Sequence, residues 1–442
     1  MSLIKKTISV FKNIHFQSLL LNGSMSLFGI LALSLLYRAL TPTDAGIYIY
    51  LFTLIQLIDT IKSGLIVTAF IKYYSGSDET RAAEVIGSTW VLTIIIIAIL
   101  VFANLLSFLF FHGTDNVILK LLNTYFSLIV VSTLPYFIAG VVLESEKRFD
   151  LLLRIRLLNQ VLFTGTIVAL IFLKETTLTT IIIAYIICNV LVSIVSLLVG
   201  WSKIKMIKNA TKKGIREMFN FGKYSMGSSL STSFFGFTNT FFLDYFFGPA
   251  SVAVFNIGSK LMQIIEIPLI SIASSGMPLL CANYNNNEQD KMVFTLKKII
   301  GILTTIFIGV AILSLIFAEP MIALIGGQKY VTTEAPNLFR ILIILSILFP
   351  LDRFFAITLD VINRPKINFY KLLVMIVINL IANFVVVFYF KTVYGIAITN
   401  IFPTLYAIII SYYYIQKTIK IDLRDTFSIG IKEIKSFISS KL

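Results

Sequence analysis

Apolar residues in this chain come in long blocks separated by short polar breaks. Read between the breaks, the blocks fall at about 14–40, 44–72, 85–111, 117–143, 151–173, 177–201, 218–244, 250–281, 293–318, 335–362, 368–390 and 394–416. Each is roughly 20 residues or longer, the length a helix needs to cross about 30 Å of hydrocarbon. No break is long enough to fold as a separate domain. The pattern predicts an all-α integral membrane protein of about twelve transmembrane helices.

Composition leaves no other comfortable solvent. Of 442 residues, 57% are hydrophobic and 13% charged, with a mean hydropathy of +0.91. Soluble domains run near 45–50% apolar and 25% charged. The formal charge of +15 would point to nucleic acid in a soluble chain, but here it follows the loops. With the N-terminus placed in the cytoplasm, the inner segments hold 28 Lys and Arg and the outer segments six, namely Arg38, Lys120, Lys174, Lys329, Arg340 and Lys391. A missed or invented span would scramble that alternation, so both termini are expected inside, by the positive-inside rule. Lys5, Lys6 and Lys12 look like the start of a signal peptide. The apolar stretch after them is too long, however, and no small-residue cleavage site follows, so it reads as an uncleaved first span. Cys188 and Cys281 sit in or beside apolar stretches, which argues against a disulfide framework. His15 and His112 fall near opposite expected membrane faces, which argues against a shared metal site.

The most basic break, around 202–217, divides the spans six and six. An ungapped offset of 207 residues aligns the starts of the halves: Ser24-Met25-Ser26-Leu27-Phe28-Gly29 on Ser231-Thr232-Ser233-Phe234-Phe235-Gly236, Pro42 on Pro249, Gln56 on Gln263 and Asp59 on Glu266. Nine of 36 positions are identical between 24 and 59, and the weight lies in the polar residues and the turn proline. Six spans per copy gives both copies one orientation, the parallel repeat of two-lobed transporters. The expected organisation is an N-terminal lobe at 1–202, a basic cytoplasmic linker at 203–217, a C-terminal lobe at 218–416 and a cytoplasmic tail at 417–442. In the tail, Ile431, Ile434, Phe437, Ile438 and Leu442 form a rough apolar stripe. It is either an interfacial amphipathic helix or a frayed terminus.

No P-loop, H-E-x-x-H, paired C-x-x-C or G-x-S-x-G motif is present, so no enzyme chemistry, cofactor or nucleotide-driven step is expected. What stands out is charge inside spans, at roughly 2.5–3.5 kcal/mol or more per residue at a helix centre. Span eight carries Asn256, Ser259, Lys260, Gln263 and Glu266 within an arc of about 120°. Span two carries the matching stripe Gln56, Asp59, Thr60 and Ser63, with Lys62 at its edge. Facing one another, these stripes would line a wet cavity. Against that, Asp59 and Lys62 are spaced i, i+3 and can neutralise one another. Span ten holds Asp352, Arg353 and Asp360, the last two on one face and able to do likewise. Lys260 has no acid close by on its own helix. Small polar residues crowd spans one and seven (Asn22 to Gly29, Ser225 to Gly236), as close helix packing requires or as a cavity lining would. Pro135, Pro268, Pro278, Pro350 and Pro403 fall inside spans, where kinks border cavities in transporters.

A family resemblance rests on further residues. The run Leu36-Tyr37-Arg38-Ala39-Leu40-Thr41-Pro42-Thr43-Asp44-Ala45-Gly46-Ile47-Tyr48 has a second copy in Phe246-Phe247-Gly248-Pro249 through Val254-Phe255. Gly327-Gln328-Lys329-Tyr330, Asn363-Arg364-Pro365-Lys366 and Tyr394-Gly395-Ile396-Ala397 add to it. The chain resembles the polysaccharide flippases, Wzx-like transporters of O-antigen or capsule repeat units, in the multidrug/oligosaccharidyl-lipid/polysaccharide exporter superfamily. The resemblance covers nearly the whole chain. It implies a bacterial inner-membrane protein that moves undecaprenyl-pyrophosphate-linked oligosaccharide to the periplasmic leaflet by alternating access. With no nucleotide site, the drive is an ion gradient (H⁺ or Na⁺ being the candidates), the membrane potential or the substrate's own gradient. Membrane lipids would surround it, and a polysaccharide polymerase or chain-length regulator is a partner the resemblance leaves open. By location and chemistry, Lys260, Lys62 and Arg353 are candidates to bind the pyrophosphate and Asp59, Glu266 and Asp360 to couple an ion, with Asn256, Ser259, Gln263 and Gln56 lining the path. Two alternatives stay open: a cation-coupled drug antiporter of the same superfamily, and a membrane enzyme of polysaccharide assembly.

Overall fold

The computed structural model of the chain describes residues 14–111 and 113–439. Lys5, Lys6, Lys12, His112, Lys441 and Leu442, which figure in the sequence argument, lie outside the described residues. Regular structure among the described residues is helical. In order come α1 (Ile14–Ala39), α2 (Pro42–Tyr74), α3 (Glu79–Phe111), α4 (Val117–Ser132), α5 (Leu134–Ser145), α6 (Phe149–Leu173), α7 (Leu178–Leu198), a short 3-10 turn (Ile204–Asn209), α8 (Lys212–Phe247), α9 (Pro249–Asn285), α10 (Gln289–Ile316), α11 (Ala318–Gly326), α12 (Gln328–Val331), α13 (Ala335–Ser346), α14 (Phe349–Val361), α15 (Pro365–Tyr389), α16 (Val393–Thr399), α17 (Ile401–Gln416) and α18 (Thr426–Ser439).

Among the described residues, eight helical spans are long and apolar enough to cross a membrane, and two bent pairs, each taken as one span, bring the number to ten. The chain is a multi-pass membrane protein. Helices also stand where the sequence places spans one and seven. These are α1, whose apolar part runs Gly23–Ala39, and the 36-residue α8, rich in small polar residues.

The blocks at 117–143 and 335–362, read from the sequence as continuous, are each broken. The first is α4 and α5, meeting at 41°, and the second is α13 and α14, meeting at 43°. Pro135 and Pro350 occupy the first turn after each break. Proline gives no N–H to the carbonyl four residues back and its ring clashes there, so the helix stops and restarts. The breaks thus fall in the fourth and the tenth of the apolar blocks read from the sequence.

The chain forms two compact units, Met1–Ser233 and Phe234–Leu442, divided within α8. In the first, Leu65, Ile66 and Phe70 of α2, Val85, Ile86 and Trp90 of α3, Ile138 and Val142 of α5 and Met218 of α8 form one core cluster. Residues 202–217 are built onto α3. The Trp90 indole N–H donates to the Ser202 carbonyl at 2.9 Å. A Cβ on Gly87 would sit 2.4 Å from the Met206 carbonyl oxygen, so the connection passes directly over the helix. Arg81 pairs with Glu84 at 2.7 Å and with Glu217.

The second unit's core joins Leu280 of α9, Leu296 and Phe307 of α10, Phe354 and Phe355 of α14 and Ile415 of α17. Its tail repeats the arrangement of the first unit, since α18 lies across α10. Gly301 and Gly430 meet there so closely that a Cβ on either would fall 2.1–2.2 Å from the other helix's backbone. Lys298 pairs with Glu433 at 2.6 Å, and Lys297 with Asp425. In the first unit, then, the segment at 202–217 straps α3, and in the second α18 straps α10.

The Lys297 ammonium beside Asp425 holds that carboxyl below the usual carboxylate range. A lowered folded-state pKa means the contact contributes fully above the unfolded value of about 3.9 and is lost as pH falls through the lowered one. The protection of amides 426–436, taken relative to their intrinsic exchange rates at each pH, is therefore expected to be the same from about pH 5 to about pH 8. Lower protection at pH 5 than at pH 8 would show that the contact does not hold α18.

Candidate functional site

The polar stripe of α2 is largely consumed inside its own unit. Lys62 is 1% exposed, its ammonium 2.5 Å from Asp59 and 4.5 Å from the centre of the Phe137 ring. The i, i+3 spacing brings the two charges together on one side of the helix, and the ring face adds a cation–π contact. Asp59 keeps 38% exposure and Gln56 is exposed. Thr60 bonds Ser233 at 3.0 Å and Thr68 bonds Ser225 at 2.9 Å. Beside them Gly64 and Gly222 let the two backbones touch: a Cβ on Gly222 would lie 2.0 Å from the Leu65 carbonyl oxygen. Much of the small-residue content of α8 therefore serves close helix packing within the first unit.

On α9 the stripe is differently employed. The Lys260 ammonium donates to the Gln263 side-chain oxygen at 3.1 Å. No carboxylate lies within ion-pair distance of it among the described residues, and none of the ion pairs there includes Glu266. Ser259 turns its hydroxyl back to the Phe255 carbonyl at 3.2 Å, Asn256 is half-buried and Gln263 exposed. Pro268 and Pro278 lie inside this helix. The α9 face thus carries a cation answered only by a neutral amide and, six residues on, an unpaired acid.

On α14, Arg353 is exposed and forms no ion pair with Asp360 among the described residues. Asp360 accepts instead from Asn368 at 2.8 Å. Two features of the second unit went unread in the sequence. Lys371 of α15, counted above with the inner segments, is 7% exposed; it donates to Ser411 at 3.1 Å and stands 4.0 Å from Asp352. Asn379, Asn383 and Thr399 are fully buried in a chain of amides. Asn383 donates to Asn239 at 2.9 Å and to Asn379 at 3.2 Å, takes a bond of 2.5 Å from Thr399, and Asn239 donates to Asn400 at 3.0 Å. The i, i+4 asparagines in an otherwise apolar span were the available signal.

The resemblance motifs are structural in their placement. Thr41 caps α2, accepting from the Asp44 amide at 3.1 Å, with Pro42 opening the helix. Tyr37 and Tyr330 are wholly buried.

Comparison with known proteins then orders these observations. At 23% identity over 201 residues, the chain matches the "Probable low-salt glycan biosynthesis flippase Agl15" of Haloferax volcanii; the match spans 45% of this chain and 42% of that relative, less than half of its length. Two solved structures share the fold. One is the lipid II flippase MurJ in an inward closed conformation, with a TM-score of 0.74 at 12% identity, covering 94% of this chain and 90% of that one. The other is a multidrug resistance MATE family transporter of the MOP superfamily in an inward-facing conformation, with a TM-score of 0.72 at 16% identity, covering 89% and 95%. At such identities the likeness is one of fold. Residues 35–335 match the family described as "Polysaccharide biosynthesis protein", and with more than half of its length matched, the chain belongs to that family.

Proposed function

We propose that the protein is a flippase that carries an undecaprenyl-pyrophosphate-linked oligosaccharide from the cytoplasmic to the periplasmic leaflet by alternating access. The observation that carries the proposal is Lys260, a cation on a predominantly apolar membrane helix that, among the described residues, bonds the Gln263 amide and forms no ion pair. A charge kept there at a cost of a few kcal/mol and left without a carboxylate is suited to a transient anion, and a pyrophosphate is a strong one. Membership of a polysaccharide biosynthesis family and similarity to a probable glycan flippase support a lipid-linked sugar as the cargo. Arg353, exposed on α14, is a second contact in this reading, while Lys62 serves chiefly to neutralise Asp59. The twelve-span count, six to a lobe, and the placement of both termini in the cytoplasm belong to the same proposal, as do the inner-membrane location and the absence of enzyme activity.

Proteoliposomes holding a fluorescent sugar on undecaprenyl pyrophosphate test it. The purified protein is expected to make the inner-leaflet sugar accessible to an external glycosidase at a rate well above that of empty vesicles. No acceleration, or acceleration of a cationic dye instead, would replace the proposal with the antiporter reading.

Topology has its own test. Asn209 is exposed at the end of the 3-10 turn, so Asn209→Cys in a cysteine-free background should resist a membrane-impermeant maleimide in intact cells and react after lysis. Labelling of intact cells would reverse the orientation.

Coupling belongs to Asp59 and Glu266 in this proposal, equivalent positions of the two halves. An ion that binds one conformation better shifts the population toward it, and a carboxylate that is exposed or unpaired can exchange a proton or Na⁺. Asp59→Asn and Glu266→Gln proteoliposomes should keep flipping but lose its response to an imposed pH or Na⁺ gradient. An unchanged response in both would remove the acids from coupling.

A further inference from the structure

The connection between the halves holds five cations that form no ion pair among the described residues. Lys205, Lys208, Lys212, Lys213 and Arg216 are all exposed. Lys203, in the same stretch, is different: burial depresses it, hydrogen bonds to Glu146 and Tyr74 outweigh the burial, and its ammonium is held above the usual lysine range. The segment thus separates a charge used for structure from charges left outward.

The scaffold fixes that separation. On α8 the buried face is Gly214, Met218 and Gly222, at i, i+4 and i+8, with Gly214 against the Ser88 hydroxyl and Gly222 against the Leu65 carbonyl. The opposite face is Lys212, Arg216, Phe219 and Lys223, at i, i+4, i+7 and i+11, all exposed, with Tyr224 75% exposed beside them. Ile204 and Met206 of the 3-10 turn are exposed as well, while Ile207 of the same turn joins the core. Gly87, Trp90 and Ser202 hold the turn on α3, so these groups are presented on a fixed surface.

The depth of this surface follows from helix length. The 36 residues of α8 span roughly 54 Å at 1.5 Å per residue, against about 30 Å of hydrocarbon. With the span that the sequence places at 218–244, Phe219 and Tyr224 lie at its inner end, and Lys212, Lys213 and Arg216 fall within about 9 Å beyond it, at the level of the headgroups. Cations interleaved with exposed aromatic and aliphatic side chains at that depth have the composition of an interfacial lipid contact.

We propose that residues 204–224 form a docking surface for anionic phospholipid headgroups, the charges meeting phosphates while Ile204, Met206, Phe219 and Tyr224 seat among the acyl-chain ends. The surface holds phosphatidylglycerol-type lipid beside α3 and α8 and so anchors the strap to the bilayer. It does not depend on the cargo proposed above.

The full-length protein in nanodiscs of phosphatidylcholine with spin-labelled phosphatidylglycerol or spin-labelled phosphatidylcholine tests the proposal. At low salt the parent is expected to enrich the anionic probe in its immobilised lipid shell by about fivefold or more, since each basic residue near such a surface is worth about that factor. Changing Lys205, Lys208, Lys212, Lys213 and Arg216 together to Gln should remove most of the enrichment. Changing Lys417, Lys420, Arg424, Lys432 and Lys435 to Gln, an equal loss of charge elsewhere, should leave most of it. Gly87→Val, which keeps every charge but displaces the turn from α3, should lower it in part. The proposal fails if the strap variant retains the parent's enrichment, or if both five-residue variants lose it equally, which would reduce the effect to overall charge.

Discussion

Replacing Lys260 by alanine should abolish delivery of glycan to the cell surface while leaving the amount of protein in the membrane near that of the parent. The two halves of that expectation have different origins. A charge-assisted contact to an anion is worth about 1.5–3 kcal/mol, a factor of roughly 10 to 150 in affinity, and nothing else on α9 offers the same charge. The folded protein, by contrast, gains little from this side chain, because its polar partner is the exposed Gln263 and its burial costs free energy. Lys260→Arg, which keeps the charge on a longer reach, should retain part of the activity. Lys62→Ala should behave oppositely. It strands Asp59 and removes a fully buried side chain from against Phe137, so abundance should fall along with activity. The loss should be smaller than the roughly 3–5 kcal/mol of a fully buried pair, since Asp59 remains in contact with water. Surface glycan stained in a deletion strain, with the protein quantified in the same membranes, checks both. Wild-type glycan from the Lys260→Ala strain would take Lys260 out of the binding site.

That contrast shows where the sequence was legible. The spans could be read because apolar block length is set by membrane thickness, and composition alone carries that information. The Asp59–Lys62 pair could be read because both partners lie on one helix, where spacing fixes distance. Partners on different helices were another matter. Thr60 with Ser233 and Asn383 with Asn239 are 173 and 144 residues apart in the chain, and no periodicity reports such a meeting. Lys371 was hidden for a related reason. Counted near a span end, it reads as one more inner cation, and only the approach of Ser411 and Asp352 makes it a buried one. The breaks at Pro135 and Pro350 were half legible: proline announces a defect, but not whether the helix kinks or stops. The straps were least legible, because Gly87 and Gly301 look like any helix glycine until another backbone is laid against them.

The glycines of α8 turn this into an expected result of comparable size. Gly222→Ala should destabilise the first unit severely, although the change adds a single methyl to a helix and alanine is the better helix former. The new Cβ would stand 2.0 Å from the carbonyl oxygen and 2.8 Å from the carbonyl carbon of Leu65. Those are backbone atoms of α2, so relief requires one helix to move off the other rather than a side chain to turn. Such a shift would disturb Gly64, whose own Cβ position is 2.9 Å from the Met226 Cα, and the Thr68–Ser225 bond. Overpacking of this kind costs about 1–3 kcal/mol and more where nothing can yield, a large part of a stability of about 5–15 kcal/mol. Five residues further on, a Cβ at Gly227 would meet nothing within 4 Å, and the same holds at Gly236. Alanine at either position should be neutral or stabilising by up to about 1 kcal/mol through the lost backbone freedom of glycine. Thermal unfolding of the three purified variants in one detergent separates the outcomes. If α8's small residues existed to line a water-filled path rather than to let α2 approach, Gly222→Ala would unfold with the parent, and the packing role assigned to them here would be wrong.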